Sequence, residues 1–222
     1  MAGKRKTPEF RDSRELMLDA AQRLFAQEGF AATSLRDVTK GAGVNLAAVN
    51  YYFGSKAALI RAVIQRILIQ LNLERRLNLV SLTAPEQTPS VEELLSAYLS
   101  PLFDLLTVGS PPMESPSSKE TALEHEQILV RLYARIVTDP GDEVRTVVAQ
   151  ESAVVDADYL QSFGRALPQL PSEELAWRFR CITGVVLASF SSKMLPTHTE
   201  SMETYVKEWM IAYLAAALRA PP

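Results

Sequence analysis

The chain has few of the side chains on which catalysis and metal binding depend. Its 222 residues include one cysteine, Cys181, and only two histidines, His125 and His198. There is no glycine-rich phosphate loop and no pair of cysteines or histidines at metal-ligand spacing. His125 lies between two glutamates, but adjacent residues point to different faces of a helix, so a solvated charge run is favoured over a metal site. We therefore predict no catalytic residues, no metal and no cofactor, and a protein that is not an enzyme.

The sequence also lacks the signatures of export and membrane insertion. A single cysteine cannot form an intrachain disulfide, which fits the reducing cytoplasm. No stretch approaches the roughly 20 apolar residues of a membrane span. No apolar segment follows the basic residues Lys4, Arg5 and Lys6, as it would in a signal peptide. We predict a cytoplasmic protein with no membrane partner.

Strand patterns are weak throughout, whereas apolar residues recur at helical spacing, so we predict an all-α fold. Asp12 and Glu15 form an N-cap and N3 pair for the first helix, and Gly29 ends it. A long helix is predicted over residues 55–82. The remaining helices are predicted over residues 90–106, 120–138, 143–166, 172–194 and 200–219, with a mobile loop at 108–118.

Two short helices around a glycine-bearing turn are predicted within residues 34–56. Ser34 can cap the first helix, with Asp37 as its capping-box partner. Gly43 permits a tight turn, and Asn45 can cap the second helix. This arrangement is a helix-turn-helix, although glycine-turn helical hairpins also occur in purely structural bundles.

Charge is divided unevenly along the chain. Residues 1–66 contain 11 Lys or Arg and 6 Asp or Glu, a net charge of +5, while residues 67–222 contain 12 and 20, a net charge of −8. The pI of 5.6 for the whole chain hides this division. Because phosphate neutralisation supplies much of a protein's affinity for DNA, only the front of the chain is predicted to contact DNA.

Four segments carry a resemblance to a known family: residues 24–30, 33–38, 42–44 and 52–59. Across residues 12–66 the chain resembles the amino-terminal domain of TetR-type transcriptional repressors. The variant over residues 44–56 is similar to a subgroup that includes fatty-acid-responsive repressors. Residues 167–171 and 174–178 also resemble the ligand-binding half of fatty-acid-responsive members.

The resemblance implies a DNA-binding surface on the second short helix. Tyr51, Tyr52 and Lys56 match the family's phosphate-contacting cluster, whereas the asparagines and alanines of this helix can read base edges or thymine methyl groups. Asn50 can alternatively hold a phosphate, and Phe53 is favoured as a local core residue. Leu46 departs from the family, in which a basic residue is frequent here. The predicted DNA-binding residues are Thr33, Ser34, Arg36, Asn45, Ala47, Ala48, Asn50, Tyr51, Tyr52 and Lys56.

The rest of the chain is predicted to sense a ligand and to dimerise. We predict a flexible basic arm at residues 1–11, a DNA-binding domain at 12–56, and an effector-binding and dimerisation domain at 57–222. The predicted effector pocket comprises Phe103, Leu106, Leu129, Leu132, Tyr133, Ile136 and Phe163, each with the alternative of ordinary core packing. Because no basic cluster has a buried pattern, and Arg131, Arg135, Arg178 and Arg180 favour surface ion pairs, we expect a mostly apolar effector. The resemblance implies a fatty acid or an acyl thioester.

The last two helices are richer in apolar and small surface than one core-facing stripe requires, so they are predicted to pair in a homodimer. The predicted interface is Trp177, Ile182, Val185, Phe190, Tyr205, Trp209, Ala212, Tyr213 and Ala216, with completion of the chain's own core as the alternative. These features predict a ligand-released repressor that binds a palindromic double-stranded DNA operator. The alternatives are an activator of the same architecture and a helical interaction module without selective DNA binding.

Overall fold

A computed structural model describes residues 9–83, 88–107, 119–139, 141–191 and 200–221. Across these residues the chain forms nine helices and no strand, which confirms the predicted all-α fold. The helices are α1 (Glu9–Glu28), α2 (Leu35–Ala42), α3 (Leu46–Tyr52), α4 (Lys56–Leu82), α5 (Val91–Thr107), α6 (Lys119–Thr138), α7 (Asp142–Ala166), α8 (Ser172–Ser191) and α9 (Glu200–Arg219). The predicted loop at 108–118 and residues 1–8 of the predicted arm lie outside the described residues.

The start of α1 corrects the sequence analysis. Asp12 was predicted as the N-cap, but α1 begins at Glu9 and Asp12 lies inside the helix. Residues 9–11 contain no helix breaker, and an acidic residue in the first turn interacts favourably with the helix dipole. The helix therefore extends about one turn further towards the amino terminus than the capping pattern indicated.

The chain divides into two compact units. The first unit contains the described residues up to Ile67 and those of Arg131–Val148, which include the end of α6 and the start of α7. Its core is built from residues at helical spacing on α1, joined by one buried apolar residue from each of α2 and α3 and by five from α4. Phe25 and Phe30 pack with their ring centroids 5.0 Å apart. The buried set includes Met17, Ala21, Phe25, Phe30, Val38, Val49, Leu59 and Val63.

The second unit holds the described residues of Leu68–Val130 and those from Ala149 onward. Four aromatic rings form its centre: Tyr98 lies 4.9 Å from both Tyr159 and Phe179, and Phe163 lies 5.8 Å from Phe179 between ring centroids. All four side chains are buried. Aromatic pairs at these distances and tilts contribute to stability beyond the burial of their surface.

Polar side chains from α4 satisfy the backbone of α5. Pro101 has no N–H to donate to the Ala97 carbonyl four residues earlier, and Asn78 Nδ2 donates to that carbonyl at 3.1 Å. Arg75 Nε donates to the Tyr98 carbonyl at 2.9 Å, with the guanidinium 3.8 Å from the centre of the Tyr98 ring. The α5 helix therefore continues through its internal proline.

Arg75 is a buried basic side chain that the sequence analysis did not single out, because it is only 3% exposed. Tyr98 donates its hydroxyl hydrogen to Asp156 at 2.8 Å, and Tyr159 donates to the Arg75 carbonyl at 2.9 Å. Burial raises the pKa of Asp156, although the Tyr98 hydrogen bond and the Arg75 charge oppose the shift. The core of the second unit thus combines an apolar centre with a connected polar network.

Candidate nucleic-acid interface

The helix-turn-helix is held by caps at three of its helix ends. Ser34 Oγ accepts from the Asp37 amide at 3.2 Å, while the Asp37 carboxylate accepts from the Ser34 amide at 3.0 Å, so both halves of the predicted capping box are present. The Ser34 hydroxyl also donates to the Asp37 carboxylate, and this hydrogen bond, together with the one from the Ser34 amide, lowers the pKa of Asp37. Gly43 ends α2 with a φ of 66°, a left-handed conformation that favours glycine. Asn45 Oδ1 accepts from the Ala48 amide at 2.9 Å and caps α3.

One face of α3 points into the first unit and the other points to solvent. Val49 is fully buried, whereas Ala47 and Asn50 are exposed and Tyr51 is 74% exposed. Ala48 is half-buried. The predicted base-reading and phosphate-contacting residues of α3 therefore lie on the accessible side of a helix that short-range caps hold in place.

Asn45 was predicted both to cap α3 and to read a base edge, and the structure shows the cap. Its side-chain oxygen is occupied by the cap, which leaves the Nδ2 group as the donor that could reach a base or a phosphate. Leu46 follows it at 40% exposure and offers only an apolar contact. Base reading by the Nδ2 group of Asn45 is therefore compatible with the α3 cap.

Lys56 lies in the first turn of α4, and its Nζ donates to the Ala31 carbonyl at 2.9 Å. An ammonium group has three donors, so this hydrogen bond still permits a phosphate contact. Tyr51 and Tyr52 meet edge to face with centroids 5.2 Å apart. Phe53 is half-buried and has the Arg14 guanidinium 5.7 Å from its ring centre, so it is less enclosed than a core anchor. Phe25 provides that anchor, with no exposed surface.

Thr33 differs from its prediction as a phosphate contact. It is 1% exposed, and its hydroxyl donates to the Gly29 carbonyl at 2.9 Å. Its side chain therefore holds the turn between α1 and α2 and does not face solvent. Ser34 is exposed but engaged in the capping box, whereas Arg36 is exposed on α2.

The residues predicted to line an effector pocket are buried wherever the structure describes their side chains. Phe103, Leu129 and Phe163 belong to the second unit and are at most 6% exposed. Leu132, Tyr133 and Ile136 belong to the first unit and are at most 3% exposed. The side chain of Leu106 lies outside the described residues. Burial alone agrees equally with a core role and with a pocket role, so the pocket remains a prediction.

The α8–α9 face is defined here as the exposed side of α8 and α9 that carries large aromatic residues. Trp177 is 60% exposed on α8, and Trp209 is 62% and Tyr213 63% exposed on α9. Tyr205, 52% exposed, stacks on Trp209 with a centroid distance of 6.2 Å. The small predicted interface residues Ala212 and Ala216 are exposed on the same helix.

Other predicted interface residues differ in position. Ile182 is only 2% exposed, so it packs within its own chain, and this corrects its prediction as an interface residue. Its place on the inward side of α8 follows from helical spacing, because it continues the buried stripe formed by Leu175, Phe179 and Val186. Val185 is half-buried, and the side chain of Phe190 lies outside the described residues.

Two arginines have partners that the sequence analysis did not foresee. Arg178 forms the predicted kind of ion pair with Glu174, but it also donates to the carbonyls of Ala217, Leu218 and Ala220 at the end of α9. Arg135 donates only to backbone carbonyls among the contacts described, at Ala26 and Gln27, so its prediction as a surface ion pair is wrong. The spacing of Glu174 and Arg178 signalled their pairing, but nothing local signalled the carbonyl partners.

Within the described ranges, no helix has the length and apolar content that crossing a bilayer requires. No group of three or more metal-ligating side chains occurs in the same part of the chain.

Comparison with known proteins gives consistent matches in both halves. The family "Bacterial regulatory proteins, tetR family" matches residues 17–63, and "Tetracyclin repressor-like, C-terminal domain" matches residues 111–217. The HTH-type transcriptional regulator BetI of Agrobacterium fabrum is 26% identical over 167 residues, covering 70% of this chain and 79% of that protein. The HTH-type transcriptional regulator AcrR of Shigella flexneri is 40% identical over 63 residues, covering 28% of this chain and 29% of that protein.

A solved structure resembles the whole chain. The fatty acid degradation regulator FadR from Bacillus halodurans has a TM-score of 0.65 and 16% sequence identity, covering 98% of this chain and 100% of that chain. At this identity the likeness establishes the fold alone. The sequence matches and the exposed face of α3 both indicate that the helix-turn-helix is a DNA-binding element.

Proposed function

From the premise that the chain belongs to the TetR family of bacterial transcriptional regulators, we propose that it is a repressor whose homodimer binds a palindromic operator and is released by a small, mostly apolar effector. The observation that carries this proposal is the capped α3 helix, with Val49 buried and Asn50 and Tyr51 exposed. Because operators lie in the cytoplasm of bacteria, we place the protein there.

The contacts to DNA divide into positioning and reading. Tyr51, Tyr52 and Lys56 hold phosphates, and Arg36 adds a further cation on α2. Asn45 donates its Nδ2 group to a base edge, with Ala47 and Ala48 against thymine methyl groups. Asn50 either reads a base or holds a phosphate. A single copy of so short a helix reads few base pairs, which is why we propose that a second copy is required.

The α8–α9 face supports a homodimer. Large exposed aromatic residues, concentrated on two neighbouring helices, are typical of surfaces that another protein covers. Ala212 and Ala216 allow close approach of a symmetry-related helix. A twofold dimer places two reading helices roughly one DNA turn, or about 34 Å, apart, which is the geometry that a palindrome requires.

The effector is proposed from chemistry and resemblance together. The residues predicted to line the effector pocket are apolar or aromatic. In sequence, the chain resembles fatty-acid-responsive members of its family. The structural neighbour FadR is described as a fatty acid degradation regulator. We therefore propose a fatty acid or an acyl thioester, which releases the operator if it binds the DNA-free form of the protein more tightly than the DNA-bound form.

Selection of bound duplexes from a random pool by the purified protein tests the DNA-binding part. A motif with twofold symmetry is the expected result. Enrichment of an asymmetric motif would contradict the homodimer, and failure to enrich any motif would leave the helical interaction module as the better account. Reporter repression or activation from the selected motif then separates a repressor from an activator.

A chain-length series of fatty acids and acyl thioesters tests the effector. A ligand that binds the folded state raises the unfolding temperature in a concentration-dependent manner and, on this proposal, releases the selected duplex. Fatty alcohols of equal length serve as matched controls for nonspecific apolar binding. An equal response to alcohols and acids, or no response to any chain length, would contradict a fatty acyl effector.

A further inference from the structure

Arg135 lies in the last turn of α6, where its guanidinium meets the end of α1. Its Nε donates to the Ala26 carbonyl at 2.9 Å, and its Nη2 donates to the Gln27 carbonyl at 2.8 Å. These carbonyls belong to the final turn of α1, where a helix runs out of its own N–H partners. A cation also interacts favourably with the negative end of the helix dipole. Arg135 thus caps the carboxyl end of a helix more than 100 residues away in sequence, because the two contacts span 109 and 108 positions.

Gly29 provides the space that this cap needs. It has a φ of 93°, and a Cβ atom placed on it would lie 2.7 Å from Arg135 Nη1. That distance is too short for any side chain to fit without moving the guanidinium. The end of α1 and the Arg135 side chain are therefore matched in shape as well as in charge.

The turn that Arg135 reaches also supports the proposed DNA-binding surface. Thr33 donates its hydroxyl hydrogen to the Gly29 carbonyl, and Lys56 donates to the Ala31 carbonyl. Ser34, the next residue, caps α2. The segment of residues 26–34, called here the α1–α2 turn, thus joins the end of α6 to the starts of α2 and α4 through side-chain hydrogen bonds, all of them within the first unit.

We propose that Arg135 is a positioning residue for DNA binding, because it fixes the α1–α2 turn and thereby the placement of Lys56 and α2 on the phosphates. The proposal rests on the proposed function as a DNA-binding regulator.

Arg145 offers a matched control. It lies in the first unit, has a 63% exposed side chain and pairs with Asp142 on its own helix. Arg145→Met removes the same charge from the same unit as Arg135→Met without touching the α1–α2 turn. Long-range electrostatic attraction to DNA therefore changes in a similar way in both variants, so a difference between them reports the cap.

The first measurement is hydrogen exchange on the full chain without DNA, in a peptide covering residues 26–34. Arg135→Met should accelerate exchange in this peptide several-fold, while Arg145→Met should leave it at the wild-type rate. Arg135→Lys, which can donate to one carbonyl but not bridge two in the same plane, should fall between them. Unchanged exchange in Arg135→Met would overturn the proposal whatever the DNA results.

The second measurement is affinity for the selected duplex and for a scrambled duplex, at a temperature where every variant is folded. The affinity of Arg135→Met for the selected duplex should be about tenfold lower than that of Arg145→Met. Arg145→Met should keep the wild-type salt slope, whereas Arg135→Met should have a smaller slope, because displacement of Lys56 weakens its phosphate contact. A residue that only stabilised the fold would leave the affinity of the folded protein unchanged, and that result would overturn the proposal.

The two readouts separate this inference from the proposed function. If the wild-type chain binds no duplex selectively, the proposed function fails and so does the positioning role, while the exchange data still establish whether the cap exists. If the wild type binds selectively and Arg135→Met binds equally well, only the positioning role is wrong.

Discussion

The exposed face of α3 and the α8–α9 face differ in the side chains that they expose to solvent. The exposed residues of α3 are small or polar apart from Leu46 and Tyr51. Local hydrogen bonds hold the helix, such as the one that the Ala48 amide donates to Asn45 Oδ1. On α8 and α9 the exposed residues include tryptophan and tyrosine, at 52% to 63% exposure. The first surface is complete in one chain, whereas the second leaves apolar area uncovered, which is the state of a surface that needs a partner.

The largest expected effect comes from the α8–α9 face. Trp209→Asp should convert the dimer to a monomer and lower affinity for the palindromic duplex by about 100-fold or more, since a linked second site contributes on this order. Light scattering gives the oligomeric state, and a binding titration gives the affinity. Val154→Asp is the matched control, because Val154 is 59% exposed on α7. A Trp209→Asp protein that stays dimeric would show that the two surfaces do not differ as described.

A smaller effect is expected at the start of α4. Lys56→Ala should weaken binding to all duplexes by about tenfold at low salt and reduce the slope of log affinity against log salt by about 0.9, the value for one lost phosphate contact. Arg145→Ala, which removes a cation outside the helix-turn-helix, serves as the control. An unchanged slope in Lys56→Ala would mean that the lysine only holds the Ala31 carbonyl.

Asn45 allows capping to be separated from reading. Asn45→Ala should lower the free energy of unfolding by about 1 kcal/mol through loss of the α3 cap, while Asn45→Ser should retain most of it. If the Nδ2 group reads a base, both variants change the selected motif at the same position. A serine variant with wild-type stability and a wild-type motif would show that Asn45 is a cap alone. Denaturant unfolding and duplex selection provide the two measurements.

The smallest effect concerns acid stability. The pKa of Asp37 is lowered in the folded protein by its hydrogen bonds with Ser34. This capping-box contribution is therefore fully present above the unfolded pKa of about 3.9 and is lost as the pH falls through the lower folded pKa. Asp37→Asn should remove this small increment at pH values above about 4 and leave stability unchanged below the folded pKa. Ser34→Ala should remove only part of it, because the Ser34 amide still donates to Asp37. Denaturant unfolding across the pH range measures both, and an Asp37→Asn profile identical to the wild type would contradict the capping-box contribution.

Local rules predicted much of the first unit. The capping box, the Asn45 cap and the turn at Gly43 all depend on residues within four positions of one another, and all three are present. The same rules misplaced the start of α1, because Asp12 and Glu15 satisfy a capping pattern inside a helix that nothing interrupts. A capping pattern can therefore occur in a sequence without a cap in the structure.

Long-range contacts set the limit of prediction from sequence. Thr33 and Ile182 are residue types that occur in phosphate contacts and in interfaces, but both side chains are buried in this chain. Arg75 and Arg135 read as ordinary charged residues, yet they donate to carbonyls 23 and more than 100 positions away. No spacing signal within one helix encodes such a partner.

On the proposed function, two copies of this chain, joined by the α8–α9 face, read one palindrome. Sedimentation of the protein with the selected duplex and with a duplex containing only one half-site tests it directly. The claim predicts two chains on the full site and an affinity for the half-site that is lower by about 100-fold, as expected for loss of the linked second contact. One chain on the full site, with equal affinity for both duplexes, would contradict it.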